Sequence, residues 1–389
     1  MQAHADAATA WLADKGRAME DALSPLVDVN SFTANPEGGR KVGVLLRELL
    51  TIDGLESSSR ASERFADHLV FRSRSGAPNH DAVALVGHLD TVFPPGSFEG
   101  YRRDGALARG PGVLDMKGGL VVIAFALKAL AVTGGLGAIA PVRLVVVSDE
   151  EVGSPEGQGV IAAAIAGSSA CLVFEAGRDA DAIITRRSGT GQMSIVVHGH
   201  AAHAGNGHAQ GANAIWAAAR FVDAAQRLTD YDRGVTVNVG RFAGGESTNT
   251  VPDRAEVHVD LRFRANADAD ALVASIQRAA EAAAASVPRT RSEVHGGVLR
   301  RPLERTEASA KLLAEYGACA SAHGLGSGEA ALIGGASDAS TSASLGIPSI
   351  DGLGPRGAGF HTKDERIEIA SLVPKAQALA RFLAGRRGV

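Results

Sequence analysis

The sequence has few cysteines and no large excess of positive or negative charge, and each of these features excludes a class of protein. The 389 residues contain two cysteines, Cys171 and Cys319, which form neither a disulfide framework nor a zinc-ligand spacing, so we expect both in or near the core. The formal net charge is −4, without a strong run of either sign. That balance gives no electrostatic footprint for nucleic acid and favours small neutral or acidic partners.

Long hydrophobic runs are absent as well. The longest apolar run, residues 120–127, is far shorter than a membrane span. The first 17 residues lack the basic and apolar segments of a signal peptide. We therefore expect a cytoplasmic protein without a membrane partner. With 45% hydrophobic and 21% charged residues, the composition is that of a globular chain of about two to three domains.

Three apolar segments, at residues 83–86, 141–147 and 170–174, have the length and composition of buried strands. Polar residues of the metal-binding type follow each segment. They are His88 and Asp90 after the first, Glu150 and Glu151 after the second, and Glu175 after the third. Helix-like stretches alternate with these strands, which predicts a mostly parallel sheet with helices on its faces. In such sheets ligands bind beyond the carboxyl ends of the strands. A single His-x-Asp pair would more often be a surface hydrogen bond, but here three strands end alike.

The pattern changes near residue 188. Segments with alternating apolar residues and helix-like segments follow in the order strand, helix, strand, strand, helix, strand. That order is typical of a ferredoxin-like unit with one solvated sheet face. We therefore expect an α/β catalytic domain at residues 1–187 and 300–389, with an inserted α+β domain at residues 188–299. Near the start of the chain, residues 7–50 predict two helices, the second beginning at Arg40.

Two further candidate ligands, Asp115 and His361, lie in glycine-rich loops. The full candidate set is His88, Asp115, Glu151, Glu175 and His361. Any one of these alone would more often be a solvated acid or a capping group. Together, two histidines and three carboxylates suit two divalent ions of zinc type, with one carboxylate bridging. Cobalt or manganese would suit the same ligands.

Four stretches resemble the dinuclear zinc peptidases and amidohydrolases, a family that includes glutamate carboxypeptidase, acetylornithine deacetylase, succinyl-diaminopimelate desuccinylase and aminoacylase. They are GHLDTV (87–92), GVLDMKGG (112–119), DEEVG (149–153) and GFHT (359–362), with Glu365 close behind. The resemblance spans nearly the whole chain and is closest to glutamate carboxypeptidase. It implies that Asp115 bridges two metal ions and that Asp90 orients His88. The other ligands it implies are His88 and Glu175 for one ion, and Glu151 and His361 for the other.

Glu150 stands beside the expected ligand Glu151 and is not itself needed for metal binding. A water that bridges two zinc ions has its pKa lowered toward about 7 and still needs a group that takes its proton. We therefore expect Glu150 to be the general base and acid, rather than a solvated loop acid. Asp149 has a weaker claim, and we expect it to be a loop residue.

The inserted domain contributes a group of four histidines, His198, His200, His203 and His208. No carboxylate or cysteine accompanies them, which disfavours a separate metal site. The stretch GHAAHAG (199–205) is similar to the lid motif of the family, in which a histidine stabilises the oxyanion of the tetrahedral intermediate, and His203 is the match. In family members this histidine commonly comes from the partner subunit, so the resemblance implies a homodimer.

The resemblance also implies substrate-binding residues. Asn249, Arg262 and Arg301 match positions that grip a substrate carboxylate in glutamate carboxypeptidases. A guanidinium suits that task because its fork binds both carboxylate oxygens. By itself, Arg262 on the polar face of a strand indicates only solvent exposure or a salt bridge. The loop GGASD (334–338) resembles a family loop beside the substrate, except that Ala336 replaces a glycine.

These expectations converge on a metal-dependent hydrolase. Its expected substrate is a peptide or N-acyl amino acid, cleaved at the amide bond to a C-terminal, acidic, glutamate-like residue, with Glu150 acting on a metal-bridging water. The alternative is an N-acyl-amino-acid deacylase like acetylornithine deacetylase, because its substrates carry the same carboxylate. A remote alternative is a non-catalytic binding protein, which we would expect to have lost Glu150 or a ligand.

Overall fold

The computed structural model describes residues 2–74 and 81–386. Contacts divide the chain into two compact units. The large unit consists of Met1–Arg186, Arg305–Leu332 and Ser337–Val389, and the small unit of Arg187–Glu304 with Ile333–Ala336. The sequence pattern assigns residues 333–336 to the catalytic domain. By contacts they belong to the small unit, where the backbone N–H of Ser188 donates to the Ile333 carbonyl (2.9 Å).

Ten α-helices and sixteen strands lie within the described residues. The helices are α1 (Gln2–Leu12), α2 (Gly16–Asp28), α3 (Pro36–Leu49), α4 (Gly118–Thr133), α5 (Gly157–Ile165), α6 (Ala214–Gln226), α7 (Asn266–Ala285), α8 (Glu307–Ser321), α9 (Ala339–Ser344) and α10 (Leu372–Ala384). The strands are β1 (Leu55–Arg60), β2 (His68–Ser73), β3 (Val83–His88), β4 (Arg102–Asp104), β5 (Leu107–Arg109), β6 (Val142–Val147), β7 (Ala170–Val173), β8 (Gly189–His198), β9 (Ala202–His203), β10 (Thr236–Gly244), β11 (Thr250–Val251), β12 (Arg254–Phe263), β13 (Arg291–Arg300), β14 (Ser349–Ile350), β15 (Gly357–Ala358) and β16 (Arg366–Glu368).

The main sheet of the large unit has the strand order β1, β2, β6, β3, β7, β14. β6, β3, β7 and β14 are parallel, and β1 and β2 add an antiparallel edge. Every residue of β3, β6 and β7 is buried, as a parallel sheet covered on both faces requires. The predicted α/β fold with a mostly parallel sheet is confirmed. The carboxyl ends of β3, β6 and β7 therefore lie at one edge of the sheet.

The most apolar helix, α4, lies in the core of the large unit and packs against α1 and α10. Together with the turn before it, the segment Val113–Thr133 is long and apolar enough to cross a membrane by length and composition (mean hydropathy 1.7). However, 78% of its most apolar window is buried inside the protein. Its apolar surface is therefore used in packing, as in a helix that is hydrophobic all round and lies in a core.

The first 50 residues form three helices, so the prediction of two helices with the second beginning at Arg40 was wrong. Residues 13–15 separate α1 from α2. α3 begins at Pro36, and its cap is Asn35, whose side chain accepts a hydrogen bond from Gly38 N (3.2 Å). Glycine pairs usually mark loops. Here Gly38 is needed for close packing, because a Cβ would lie 1.9 Å from the Asn30 carbonyl oxygen.

A smaller antiparallel sheet of the large unit, which the sequence does not predict, has the order β15, β16, β5, β4. The loop between β15 and β16 carries His361, and β5 ends shortly before Asp115. β16 pairs with β5, with Arg366 opposite Arg109. This pairing brings the His361 loop beside the Asp115 loop.

The small unit contains an antiparallel sheet in the order β10, β12, β8, β13. Its chain order of strand, helix, strand, strand, helix, strand is that of the predicted ferredoxin-like unit. β12 alternates buried and partly exposed residues, and Val257 and Leu261 on its buried face share a core with Phe221 of α6 and Ile276 of α7. The opposite face of the sheet is polar. β9 and β11 form a separate two-stranded pair.

Candidate metal centre

Each of the five expected ligands lies at a strand end of the large unit or in a loop beside one. Their places are His88 at the end of β3, Glu175 two residues after β7, Glu151 in the turn after β6, Asp115 in the turn before α4, and His361 between β15 and β16. The parallel strands thus deliver three of the ligands to one edge of the main sheet. The turn before α4 and the small sheet supply the other two.

The structure brings all five side chains together. Asp115 lies between the two histidines: its Oδ1 is 3.3 Å from His88 Nε2, and its Oδ2 is 3.3 Å from His361 Nε2. Glu175 Oε1 lies 3.6 Å from His88 Nε2, and Glu151 Oε2 lies 3.1 Å from His361 Nε2. The donor atoms therefore form two groups that share Asp115. Which ion takes which ligand stays a prediction.

These carboxylates, of which Glu175 is buried and Asp115 and Glu151 are half-buried, need positive charge beside them. Burial, and then the charge of Asp115, hold the pKa of Glu175 well above its usual value, and burial also raises the pKa of Glu151. Hydrogen bonds to Asp115 and Glu151 raise the pKa of His361 to about 10. The proton on that imidazole supplies positive charge that a divalent cation would supply more strongly. Histidine and carboxylate donors are also the ligand types of zinc, so the residues fit a metal centre.

Asp90 holds two parts of the site in place. Its backbone carbonyl lies 3.0 Å from His88 Nδ1, and its carboxylate oxygen Oδ1 lies 3.3 Å from the same nitrogen. A carbonyl oxygen can only accept, so Nδ1 carries a proton and Nε2 faces the other ligands. The Asp90 carboxylate also accepts the backbone N–H groups of Glu150 and Glu151, each at 3.2 Å. This one buried residue thus positions both a candidate ligand, His88, and the expected general base, Glu150.

Glu365 has a structural role that the sequence analysis does not assign. It is 1% exposed, and its carboxylate accepts the backbone N–H groups of Gly112 (3.0 Å), Leu114 (2.9 Å) and Asp115 (3.0 Å). It lies four residues after His361, so it ties the loop of one ligand to the loop of another. Burial raises the pKa of Glu365 to about 8, against the three N–H donors, which favour the ionised form. One feature of the sequence pointed to this role, namely that Glu365 lies just after the GFHT motif.

Asp149 lies in the loop after β6, as expected, but its side chain is fully buried. Its Oδ2 accepts the backbone N–H groups of Glu156 (2.8 Å) and Gly157 (3.0 Å) at the start of α5. Burial raises the pKa of this carboxyl. Asp149 anchors the turn with Glu150 and Glu151 to α5. The usual capping pattern could not reveal this, because a cap normally bonds a backbone N–H two or three residues later.

His203 and Asn249 lie side by side in the small unit. β9, which ends at His203, pairs with β11, and the N–H of Ala204 donates to the Asn249 carbonyl (2.9 Å). His203 Nδ1 accepts the N–H groups of Gly205 and Asn206, each at 3.1 Å. Because Nδ1 accepts, the proton of the neutral ring lies on Nε2, and this exposed residue presents a hydrogen-bond donor.

Arg262 and Arg301 each form an ion pair with an aspartate of the small unit. Arg262 donates from Nε and Nη2 to Asp260 at 2.8 and 3.0 Å. Arg301, which follows β13, donates to Asp270 of α7 at 2.9 and 3.1 Å. α7 covers the apolar face of the sheet, whereas Arg262 lies on the polar face, since its neighbour Leu261 is buried with the helices. The structure therefore does not bring the two arginines together.

The four histidines of the small unit do not gather into a metal site within residues 2–74 and 81–386. The grouping of donor atoms found in those ranges, with the atoms all within 4.8 Å of one another, is that of His88, Asp115 and Glu151. His198 instead lies 3.4 Å from Glu293 on the neighbouring strand.

The fold and the site define a class of protein, the metal-dependent hydrolases with a ligand-bearing α/β unit and an inserted α+β unit. Residues 185–288 match the peptidase dimerisation domain of the M20 family. Over 377 residues the chain is 27% identical to carboxypeptidase G2 of Pseudomonas sp. (strain RS-16). The alignment covers 95% of this chain and 89% of that protein. Over 317 residues it is 29% identical to a putative succinyl-diaminopimelate desuccinylase, DapE, of Mycobacterium tuberculosis, covering 78% of this chain and 82% of that protein.

A solved structure shares the fold. The YxeP protein of Bacillus subtilis, described as a dinuclear metal binding peptidase from the M20 family, superposes with a TM-score of 0.70 at 16% identity, covering 95% of this chain and 97% of that one. The chain thus contains a region that matches the M20 peptidase dimerisation domain, and over most of its length it is similar in sequence to carboxypeptidase G2 and to DapE and in fold to an M20 peptidase. The family resemblance found in the sequence and the expectation of a hydrolytic metalloenzyme are thereby confirmed.

Proposed function

We propose that this enzyme hydrolyses the amide bond to a C-terminal acidic, glutamate-like amino acid of a peptide or N-acyl conjugate. The observation that carries the proposal is the position of Glu150 beside the five candidate ligands. Asp90 holds its backbone (3.2 Å). After burial and Asp115, the charge of Glu150 also contributes to the raised pKa of Glu175, so its carboxylate lies within electrostatic reach of the cluster.

The cluster is suited to two divalent ions. Asp115 would be shared, and the remaining ligands would be His88 and Glu175 for one ion and Glu151 and His361 for the other. When bound, such ions polarise the scissile carbonyl and acidify water. Zinc fits the donor set best, and cobalt or manganese would fit as well.

The side chains of the enzyme would then move the protons. Glu150 takes a proton from the attacking water and delivers it to the nitrogen of the leaving amine, because C–N cleavage requires that nitrogen to be protonated. Asp90 keeps His88 in the tautomer with Nε2 toward the ligands. His203 is suited to donate from Nε2–H to the oxyanion of the tetrahedral intermediate.

We also propose a homodimer, formed through the small unit, in which His203 acts in the active site of the partner subunit. Support comes from the matched dimerisation domain and from β10, an edge strand of the small sheet. Phe242 on β10 is 42% exposed, and Trp216 on α6, which packs against β10, is 54% exposed. Exposed edge strands with apolar side chains are templates for pairing with another chain.

Mixing two inactive variants tests the dimer and the role of His203 together. In a mixed dimer of Glu150→Gln and His203→Gln, one of the two sites has an intact Glu150 and receives an intact His203 from its partner. Random exchange therefore restores about a quarter of the wild-type activity if His203 acts across the dimer. No recovery, with mixed dimers verified by native mass spectrometry, would show that His203 acts within its own chain or not at all.

Asn249, Arg262 and Arg301 are proposed to bind the substrate carboxylate. The likeness to carboxypeptidase G2 supports a peptidase, and the likeness to DapE, a desuccinylase, supports the alternative of an N-acyl-amino-acid deacylase. Both kinds of substrate carry a carboxylate next to the scissile amide. A cytoplasmic location stays a prediction, which cell fractionation would test.

The experiment for the proposed reaction is hydrolysis by metal-loaded, chelator-treated and metal-restored enzyme. The panel contains N-acylated glutamate, aspartate, alanine and leucine, dipeptides with the same C-terminal residues, and acetylornithine. Metal-dependent release with a preference for C-terminal glutamate or aspartate is the expected result. A preference for acetylornithine or for neutral acyl amino acids would move the enzyme to the deacylase branch. No release from any substrate, with two ions bound, would overturn the proposal.

A further inference from the structure

Phe360 lies one residue before the candidate ligand His361, and the proposed chemistry gives it no role. It is a large apolar side chain, yet it is 40% exposed. Its ring lies edge-on to the imidazole of His361, with the centroids 5.5 Å apart and the planes at 82°. Aromatic rings in this geometry attract each other beyond the effect of burial alone. The contact therefore restrains the orientation of the His361 ring.

The two candidate histidine ligands are held in different ways. In His88, which is 1% exposed, Nδ1 donates to the Asp90 carbonyl (3.0 Å), and this hydrogen bond fixes the plane of the ring. The side chain of His361 is 50% exposed, and its Nε2 faces Asp115 (3.3 Å) and Glu151 (3.1 Å). In the part of the chain that the structure describes, its Nδ1 makes no hydrogen bond to another residue. On the side away from the other ligands, the ring of Phe360 therefore takes the place of that hydrogen bond.

The turn that carries both rings is held by its own hydrogen bonds. Thr362 donates to the Gly359 carbonyl from its backbone N–H (3.0 Å) and from its Oγ1 (2.7 Å), and Asp364 N donates to Thr362 Oγ1 (3.2 Å). His361 has a φ of 61°, in the left-handed region that a residue with a side chain rarely adopts. Such a conformation persists only where the surrounding structure determines it. The turn thus fixes the directions in which the two side chains leave the backbone, and side-chain contacts set the rotation of the rings.

The ring of Phe360 is itself restrained by a second contact. The guanidinium carbon of Arg178 lies over this ring, 5.4 Å from its centroid, in the arrangement in which a cation attracts an aromatic face. Arg178 follows Glu175, a candidate ligand, by three residues. Phe360 therefore contacts a fixed neighbour as well as His361, and it can act as a support for the imidazole.

We propose that Phe360 is a positioning residue whose ring orients the imidazole of His361 for metal binding, in the way that a hydrogen bond orients His88. This inference rests on the proposed metal centre. It has a consequence that distinguishes the two ions. The ion bound by Glu151 and His361 should depend on Phe360, and the ion bound by His88 and Glu175 should not.

Metal affinity tests this consequence without turnover. Stepwise titration of metal-free enzyme with Zn²⁺ against a competing chromogenic chelator measures the affinity of each ion. Phe360→Leu keeps an apolar side chain but has no ring, so we expect the affinity of one ion to fall about three- to ten-fold, and that of the other to change less than two-fold. Phe360→Tyr keeps the ring and should bind both ions as the wild type does.

A double-mutant cycle separates positioning from a general structural effect. His361→Ala removes the imidazole, so no ring is left to orient. Adding Phe360→Leu to His361→Ala should therefore leave the remaining metal affinity unchanged. The same fall in both backgrounds, or an equal fall for both ions in the single variant, would assign Phe360 a structural role only and overturn the inference.

Tyr231→Leu is the control for the loss of an exposed aromatic ring. Tyr231 is 79% exposed and lies in the small unit, between α6 and β10. We expect this variant to bind both ions as the wild type does. A wild-type enzyme that binds no pair of ions would overturn the proposed metal centre. Two ions bound equally well by the wild type and by Phe360→Leu would overturn the role of Phe360 alone.

Discussion

The candidate metal centre of the large unit and the arginines of the small unit are organised in opposite ways. In the cluster, the buried carboxylates of Asp90 and Glu365 accept backbone N–H groups and hold the ligand loops in place. In the small unit, Arg262 and Arg301 lie at the surface in ion pairs with aspartates that are 32% and 72% exposed. Exposed pairs contribute about 0–1 kcal/mol, whereas a buried group that loses its partner costs about 1–3 kcal/mol. The part proposed to carry out the reaction is thus prearranged, and the part proposed to bind the substrate is adjustable.

The largest effect should come from Glu150→Gln, which tests the prearranged part directly. We expect kcat to fall about 10²- to 10⁴-fold because an amide cannot accept the proton of water. Metal content per chain, measured by plasma mass spectrometry, should not change. Glu37→Gln is the control, because Glu37 is an exposed acid paired with Lys41 on α3. Wild-type turnover in Glu150→Gln would remove Glu150 from its proposed role.

Asp181→Asn tests the packing that supports the candidate metal centre, because Asp181 links the segment after Glu175 to the segment before His361. It is 4% exposed and lies 3.1 Å from Lys375 Nζ and 2.9 Å from Arg356 Nη1. Asp181→Asn leaves the buried ammonium of Lys375 uncompensated, so we expect the free energy of unfolding to fall by about 3–5 kcal/mol. Asp6→Asn, which breaks an exposed pair with Arg381 (3.3 Å), should change it little.

The same aspartate gives a pH dependence. Burial opposes its ionisation, but Lys375 and Arg356 hold the pKa of Asp181 below its usual value of 3.8. Because the pKa is lower in the folded state, the stabilisation is present above pH 3.8 and is lost as pH falls through the folded value. Urea unfolding from pH 7 to pH 3 should therefore show a shallower acid limb in Asp181→Asn. An identical pH dependence in variant and wild type would contradict the pairing.

Glu365→Ala tests whether the backbone hydrogen bonds that hold the ligand-bearing loops contribute to metal affinity. Three buried N–H groups lose their acceptor, and we expect metal affinity to fall about 10- to 100-fold, as for other residues that orient ligands. Competition with a chromogenic chelator measures it. Glu365→Gln, which keeps one acceptor oxygen, should lose less, and Glu368→Gln, at an exposed pair with Arg356, should lose nothing. Equal affinities in all three variants would show that the ligands hold their own positions.

The smallest effects should come from the exposed ion pairs of the small unit. Asp260→Asn and Asp270→Asn release the forks of Arg262 and Arg301, so we expect KM for substrates with a C-terminal acid to fall about two- to five-fold with little change in stability. Asp223→Asn, which breaks an exposed pair with Arg227 on α6, is the control in the same unit. A rise in KM would mean that the aspartates orient the arginines for binding, so that the arginines of the small unit are prearranged as well.

Much of this architecture could be predicted because it follows from local patterns. The buried strands that lead to His88, Glu151 and Glu175 are readable as apolar runs, and parallel pairing then brings their ends to one edge. The alternating segments after residue 188 predicted the second unit in the same way. The failures lie where packing overrides a local signal: Gly38 lies inside a helix because the Asn30 carbonyl leaves no room for a Cβ.

The sequence alone determined which residues are candidates for the chemistry, since a histidine or carboxylate after a buried strand is recognisable by residue type and order. Only the tertiary structure decided how those residues are held. Asp90 accepts N–H groups of residues 150 and 151, and Glu365 accepts those of residues 112, 114 and 115, across about 60 and 250 positions of chain. The physical reason is that a buried carboxylate must be hydrogen-bonded, but its donors are chosen by folding and no spacing in the sequence encodes them.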